Sequence, residues 1–399
     1  MSGRVIVVGS VNIDLVARVP HLPRPGETVT GGSYERHQGG KGGNQAVAAS
    51  RLRRPTLFIG AVGDDTFEQE ARRALSAERV DVSMVASLPG QPTGVALILV
   101  DAAGENEIAV IPGANGAIET GYVRDCLARL GRLVGDVLLV CNEVPLHVVR
   151  EALVCGYAAG ATTIFNPAPA IGIDRSIFGL ADIVTPNRNE LATLLQAEAG
   201  RTGRRTDSPT DPTVRARTLL SPGPDGPGVR KAVIVTLGAA GVAVLERLDS
   251  GLDGVIAPRP ESADLAGAEA ATAAAASVSQ AAAADPVEGP DVVAPVTGTG
   301  AIIKGSGVPV AARVEVPLGA TRVGDLRIWE VPAATVAAVD STGAGDAFCG
   351  ALAAALAESR PLAEAVNRAV SAAGLATTRV GAREGMPTAA ELEEFLAAP

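Results

Sequence analysis

Near the C-terminal end of the chain, Asp340 to Gly350 reads DSTGAGDAFCG, a stretch whose residue types could handle a phosphate. An apolar approach at Val336 and Val339 breaks at Asp340. Gly343 and Gly345 bracket Ala344, and Asp346 opens a segment with Phe348, Leu352 and Leu356 at helical spacing. The pattern predicts a loop feeding a helix. The first amides of a helix have no partner inside it and sit at the positive end of its dipole, so they hold anions, and glycines let an anion come close. Asp346 would then stand beside the anion. A carboxylate repels a phosphate, so its use there is to take a proton from a hydroxyl that attacks it. The same residues also fit a plain helix entry, with Asp346 as a cap or dipole partner.

A second glycine stretch lies near the N-terminus, HQGGKGGNQAVAASRL. Gly39, Gly40, Gly42 and Gly43 surround Lys41, and Asn44 begins a helix of small residues (Ala46, Val47, Ala49, Ser50). It is not a Walker A loop, because a glycine follows Lys41 where Ser or Thr is required. It suits a polyhydroxy ligand, with the backbone and Asn44 donating and accepting. Upstream, RVIVVG predicts a buried parallel strand ending at Gly9, followed by Ser10, Asn12 and Asp14. Ligands of open α/β sheets sit off such strand ends, although an Asx turn also explains these residues.

The elements that must position these loops follow from the alternation of patterns. Strands are expected at Thr56–Val62, Val137–Val140, Thr162–Phe165 and Ile183–Val184, and helices at Phe67–Leu75, Leu146–Tyr157, Arg188–Gln196 and Thr213–Leu220. KAVIVTLGAAGVAVL reads as strand, glycine turn (Gly238, Gly241) and paired strand, with Thr236 and Gly238 free to approach a phosphate. Asn142 with Glu143, and Asn187 with Glu190, also follow predicted strands. Such alternation predicts an α/β fold, a doubly wound, mostly parallel sheet flanked by helices. Leu15–Arg36, broken by Pro20, Pro23 and Pro25, and the apolar pair Pro92–Val100 with Asn106–Pro112 read as small antiparallel pieces. After the glycine loop come a helix at Leu362–Thr377, a polar turn Arg379–Gly385 and a last helix behind a Thr388/Glu391 capping box.

Composition narrows the class. The 399 residues are 47% hydrophobic but only 3% aromatic, and the net charge is −10. No basic cluster with interleaved aromatics occurs, which argues against nucleic acid as a partner. The four cysteines form no CxxC and the three histidines have no metal-ligand spacing. No apolar run reaches the ~18 residues of a membrane span, so signal peptide and anchor are expected to be absent and the protein cytoplasmic. Residues 249–325 hold no aromatic residue and include an Ala-rich tract at Ala268–Ala284. They are expected to be a low-complexity, largely disordered insertion.

Taken together, the segment from Gly9 (GSVNIDLVARVPHLPRPGETVTGGSYERHQGGKGGNQAVAASRL) and DSTGAGDAF from Asp340 resemble the two motifs of the phosphofructokinase-B, ribokinase-like, sugar-kinase family. The resemblance continues through NPAPA at Asn166–Ala170, VTPNRNE at Val184–Glu190 and VTLGAAGV at Val235–Val242, is weak over 200–230 and skips 249–325. It implies a single ribokinase-like domain over 1–399, with a β lid from 13–37 and 92–112 that often makes a homodimer contact. It implies transfer of the ATP γ-phosphoryl to a primary sugar hydroxyl, O5 of D-ribose first, with deoxyribose, fructose, tagatose or a sugar phosphate as alternatives. A catalytically silent sugar- or nucleotide-binding module is the rival from another class. By similarity Asn12, Asp14, Gly40, Lys41, Asn44 and Glu143 would hold the sugar and Asp346 would be the general base. Asn187, Thr236, Leu237, Gly238, Ala239, Ala240, Gly241, Gly343, Ala344 and Gly345, with Asp346, would lie along ATP. Glu190 would organise the water shell of Mg²⁺, and Asp340, Thr342, Ala376, Arg379, Gly381 and Gly385 would hold K⁺, mostly through backbone oxygens. Besides the insertion, the chain departs from the family at Val370, where a polar side chain commonly stands near the nucleotide base.

Overall fold

Continuous runs of β-branched and other apolar residues make the centre of a sheet covered on both faces. The computed structural model describes residues 3–202, 211–222, 227–248 and 320–398. In chain order the elements begin with β1 (Val5–Val8), β2 (Asn12–Arg18), β3 (Ser33–Gly39), α1 (Lys41–Arg51), β4 (Thr56–Gly63), α2 (Thr66–Ala77) and β5 (Val80–Leu88). There follow β6 (Gly94–Val100), β7 (Asn106–Ile111), α3 (Ala114–Ala117), α4 (Thr120–Leu130), β8 (Val137–Cys141), α5 (Leu146–Ala159), β9 (Thr162–Asn166), β10 (Ile183–Val184), α6 (Arg188–Thr202) and α7 (Pro212–Leu220). The described chain closes with β11 (Ala232–Thr236), β12 (Val242–Arg247), β13 (Thr321–Val323), β14 (Leu326–Val331), α8 (Ala344–Ala357), α9 (Leu362–Ala376), α10 (Ala382–Gly385) and α11 (Ala389–Ala397).

The main sheet has ten strands in the order β13-β14-β12-β11-β10-β9-β8-β1-β4-β5. From β5 to β11 every pairing is parallel, and β12, β14 and β13 finish one edge antiparallel. Every residue of β1, β4 and β8 is buried, as a parallel strand covered on both sides requires. Side chains alternate between two cores: Val5 and Val7 face one with α1, α8 and α9, while Ile6 and Val8 face the other with α4, α5 and α7. The chain passes from β1 to β4 and β5 on one side, then returns to β8, β9, β10 and β11 on the other. The order therefore reverses at β1 and β8, and ligands of such sheets bind off the strand ends at that point.

A second sheet, β3-β2-β6-β7, branches off the end of β1. Its outer pairs are antiparallel and its middle pair, β2 with β6, is parallel. All of β7 is exposed; Ile108 and Val110 share one face of the sheet, and the exposed Leu97 lies on the other.

Two elements carry no clear sequence signal. β5 is an edge strand whose Asp81 and Ser83 break the apolar run, and α4 is a helix of mixed character. The expected insertion at 249–325 lies outside the described residues except for 320–325, where Thr321–Val323 form β13, ahead of the expected Arg327. All described residues belong to one compact unit, Met1–Arg259 with Val310–Pro399.

The helices of both glycine stretches, α1 and α8, pack directly on each other where Gly350 meets α1. A Cβ on Gly350 would lie 2.5 Å from Ala48 Cβ and 2.6 Å from the Gln45 carbonyl oxygen, so neither helix can yield without moving its backbone. Gly350→Ala is expected to destabilise the fold by about 1–3 kcal/mol through overpacking. Chemical denaturation measures it, and unchanged stability would refute the close approach.

Candidate active site

The site is built where β1 and β8 end. Gly40 starts α1 at φ 83°, a backbone that glycine adopts without strain. A Cβ there would sit 2.7 Å from the Asn12 amide nitrogen, and one on Gly42 2.7 Å from the Ser10 amide nitrogen. The glycines therefore press the helix start against the end of β1. The Gly43 amide donates to the Ser10 carbonyl at 2.9 Å.

The expected sugar-binding residues meet here. Glu143, just past β8, accepts through Oε2 from the Ser10 hydroxyl and from the Lys41 amide at 2.9 Å. Asn12 is buried, and its Oδ1 accepts from Asn115 Nδ2 at 2.8 Å, which leaves its Nδ2 as the free donor. Asn44 Nδ2 donates to Asp346 Oδ2 at 3.1 Å. Asp14 lies over Gly39: a Cβ on that glycine would be 2.1 Å from Asp14 Oδ1.

Asp346 stands in the first turn of α8 and is 7% exposed. Gln45 Nε2 donates to its Oδ1 at 3.1 Å while also donating to Asn166 Oδ1 at 3.1 Å. Two side chains from the first half of α1 thus hold both oxygens of a carboxyl on the first turn of α8. Gly343, at φ 75°, precedes that turn, and a Cβ on it would strike the Ala382 Cα at 2.8 Å. Among the described residues no backbone oxygen takes the amides of Gly345 and Asp346, and the space beside the Gly345 Cα is open. A free pair of helix-start amides next to open space fits an anion.

The expected nucleotide and cation residues fall into two further groups. Asn187 and Glu190 cap α6 reciprocally, the Asn187 amide to Glu190 Oε2 at 2.7 Å and the Glu190 amide to Asn187 Oδ1 at 2.8 Å. Asn187 also bridges to Thr236, which begins the turn Leu237–Gly241. Gly238, Ala239 and Ala240 are exposed, with open space beside the Gly238 Cα, whereas a Cβ on Gly241 would collide with the Val331 carbonyl oxygen at 2.0 Å. Asp340 accepts from the Thr342 amide at 2.9 Å and hydroxyl at 2.7 Å, and from the Gly381 amide at 2.8 Å. Its side chain therefore ties the loop together. The Arg379 side chain turns away to Glu391, while the Ala376 and Arg379 carbonyl oxygens lie 2.4 and 3.5 Å from where a Gly385 Cβ would be. Those carbonyls fit a monovalent cation, and Glu190, with one oxygen uncommitted, fits a water-mediated divalent one. Val370 is buried in the core on the α8 face.

Charge binds these groups together. The Asp346 charge, with Glu143 and Glu190, outweighs burial and holds the Lys41 ammonium well above the usual lysine range. Burial pushes the Asp14 carboxyl up to about 6, Arg383 working against the shift and Glu143 with it. Burial also pushes Glu190 up. Among the described residues no group of three or more His, Cys, Asp or Glu could hold a metal ion, and no helix is long and apolar enough to cross a membrane.

Three site residues escaped the sequence. Gln45 sits one residue from Asn44 and reads as ordinary helix. Asn115 lies on the short α3 after the β6–β7 hairpin, and Arg383 in a polar turn whose register only the fold reveals.

The comparisons with known proteins agree with this geometry. The profile of the pfkB family carbohydrate kinases matches residues 2–288 and 319–389. A ribokinase of Schizosaccharomyces pombe is 38% identical over 244 residues, 59% of this chain and 73% of that protein. A ribokinase of Haemophilus influenzae is 29% identical over 390 residues, 98% of this chain and 97% of its own. Among solved structures, a ribokinase of Thermotoga maritima superposes with a TM-score of 0.68 at 27% identity, covering 98% of this chain and 99% of that one. One of Cryptococcus neoformans, in complex with ADP, gives 0.67 at 25% identity and the same coverage. The chain belongs to the pfkB family of carbohydrate kinases, and its loops and main sheet carry that family's α/β architecture.

Proposed function

We propose that this kinase transfers the γ-phosphoryl of ATP to O5 of D-ribose, with Asp346 as general base. The observation that carries the reading is the buried Asp346 carboxyl, held by Asn44 and Gln45 beside the unpaired amides at the start of α8. Asn12, Asp14, Asn44 and Glu143 supply the mixed donors and acceptors that a polyhydroxy acceptor needs, on backbone that Gly40 and Gly42 bring close. Asp346 takes the hydroxyl proton as the oxygen attacks, and the Gly345 and Asp346 amides steady the charge on the phosphoryl oxygens. Lys41, kept protonated, adds a positive charge between Glu143 and Asp346.

Asn187, Thr236–Gly241 and Gly343–Gly345 would lie along ATP. Glu190 would meet Mg²⁺ through water, and the ion supplies charge neutralisation at the phosphates when bound. Asp340, Thr342, Ala376, Arg379, Gly381 and Gly385 would surround K⁺, the carbonyl oxygens ligating and the Asp340 side chain keeping the loop closed. The β3-β2-β6-β7 sheet would close as a lid and exclude water as a competing acceptor. Its exposed Ile108 and Val110, which share one face, support a homodimer through that face, in a cytoplasmic enzyme.

Asp346→Asn should lower turnover about 10²–10⁴-fold while D-ribose affinity stays within a few-fold, read by ADP release and by calorimetry. Near-normal turnover would sink the assignment. Over a panel of D-ribose, deoxyribose, fructose, tagatose and ribose phosphates, D-ribose should give the highest kcat/KM; phosphorylation of none would favour a binding module.

Asp14 gives a pH prediction. Its carboxyl is raised by folding, so the stability it contributes is full below the unfolded range near 3.8 and is lost as pH rises through about 6. Asp14→Asn lacks this dependence. The stability of the native protein relative to this variant should fall by about 1–3 kcal/mol between about pH 4.5 and about pH 7.5. A pH-independent difference in denaturation would refute the shifted carboxyl.

Val110→Asp together with Ile108→Asp should convert a dimer to monomers in light scattering. A dimer unaffected by both would place the interface elsewhere.

A further inference from the structure

We propose that Arg383 is a positioning residue that sets the side-chain amide of Asn44, and through it the Asp346 carboxyl, for the sugar. This rests on the reading of Asp346 and Asn44 given above. Arg383 lies on α10, behind the start of α1, and is 5% exposed. Its Nε donates to Asn44 Oδ1 at 2.9 Å and its Nη2 to the Gly39 carbonyl oxygen at 2.9 Å. Nη1 is buried with no hydrogen-bond partner.

A guanidinium only donates, whereas a carboxamide has one accepting and one donating end. With Arg383 on one side of Asn44, the end that faces it must be Oδ1. The opposite end is then Nδ2, and it is Nδ2 that donates to Asp346 at 3.1 Å. Without the guanidinium the amide could turn over and face the carboxyl oxygen to oxygen, which is repulsive. Arg383 thereby makes Asn44 a donor, fixes one oxygen of Asp346, and leaves the orientation of that carboxyl independent of whether a sugar is present.

The surroundings are shaped for this contact. A Cβ on Gly43 would lie 2.4 Å from Arg383 Nη2, so only glycine leaves room for the fork against α1. Arg51, paired with Glu78, donates to the carbonyl oxygens of Arg383 and Met386 and anchors the backbone that carries the guanidinium. α10 follows Gly381, whose amide is held by Asp340. One short helix thus links the loop of Asp340 and Gly381 to the acceptor side of the site.

A double-mutant cycle of Arg383→Ala and Asn44→Ala tests this, read on D-ribose affinity by calorimetry and on kcat. Arg383→Ala is expected to weaken D-ribose and lower kcat each by about tenfold, with KM for ATP within about twofold, and to add less than about twofold in the Asn44→Ala background. A full, independent cost of Arg383→Ala in that background, or no cost in the native one, overturns the proposal. Should Arg383→Ala fail to fold, Arg383→Lys, which keeps the charge but not the fork, goes through the same cycle with the same criteria. Asp346→Asn separates the two ideas. If that variant keeps turnover, the base assignment fails while the cycle on affinity still decides the role of Arg383. If it is inactive and Asn44 and Arg383 are uncoupled, only the role of Arg383 fails.

Discussion

Everything in the site depends on two helix starts being forced against one another. α1 and α8 both begin at a glycine in a backbone conformation with positive φ, and neither has a side chain capping its first turn. Their free amide ends would repel as like poles unless something acidic stood near. Asp346, Glu143 and Asp14 supply that acidity, and the Gly350 contact with Ala48 brings the helices close enough for Asn44 and Gln45 to reach across to Asp346. The helix crossing and the placement of the Asp346 carboxyl are consequently one structural decision.

Burying so many charges together costs free energy unless each has a counterpart. Lys41 and Arg383 provide the counterparts, one among Asp346, Glu143 and Glu190, the other beside Asp14 and Asn44. The two cations behave differently. Lys41 is held more firmly protonated by its acids, whereas burial pulls the Arg383 guanidinium down to about 10 even with Asp14 next to it. A site in this condition is polar, buried and already oriented, which is the state in which fixed dipoles act most strongly on developing charge.

How much of this could be read beforehand varies with the kind of signal. The parallel sheet was legible because runs such as VIVV and VLLVC can only be buried on both faces, and the two glycine loops because no other residue tolerates their backbone and their contacts. β5 was not, since Asp81 and Ser83 at a sheet edge mimic a loop. Gln45, Asn115 and Arg383 were invisible for a different reason. Each acts by what it faces across the fold: Gln45 touches Asn166 and Asp346, Asn115 orients Asn12, and Arg383 reaches Asn44, partners far away in sequence. Residue type and local spacing carry no information about such partners.

The long segment between β12 and β13 attaches at one edge of the main sheet. It leaves β12 beside β14, where Arg247 pairs with Leu326 and the Leu248 amide donates to the Asp325 carbonyl oxygen at 2.7 Å, and the chain comes back as β13 on the far side of β14. The strands thus follow one another along the chain as β12, β13, β14 but lie in the sheet as β12-β14-β13, with β13 parallel to β12. The entropy of closing such a connection grows only with the logarithm of its length, about 0.6 kcal/mol per doubling, while the strand pairing that closes it is unchanged. The sheet edge is also the antiparallel end, beyond the parallel strands whose carboxyl ends carry Ser10, Asn12 and Glu143. Length added there is compatible with a site whose geometry is set by the α1–α8 contact, since no strand between β5 and β11 has to shift to accommodate it.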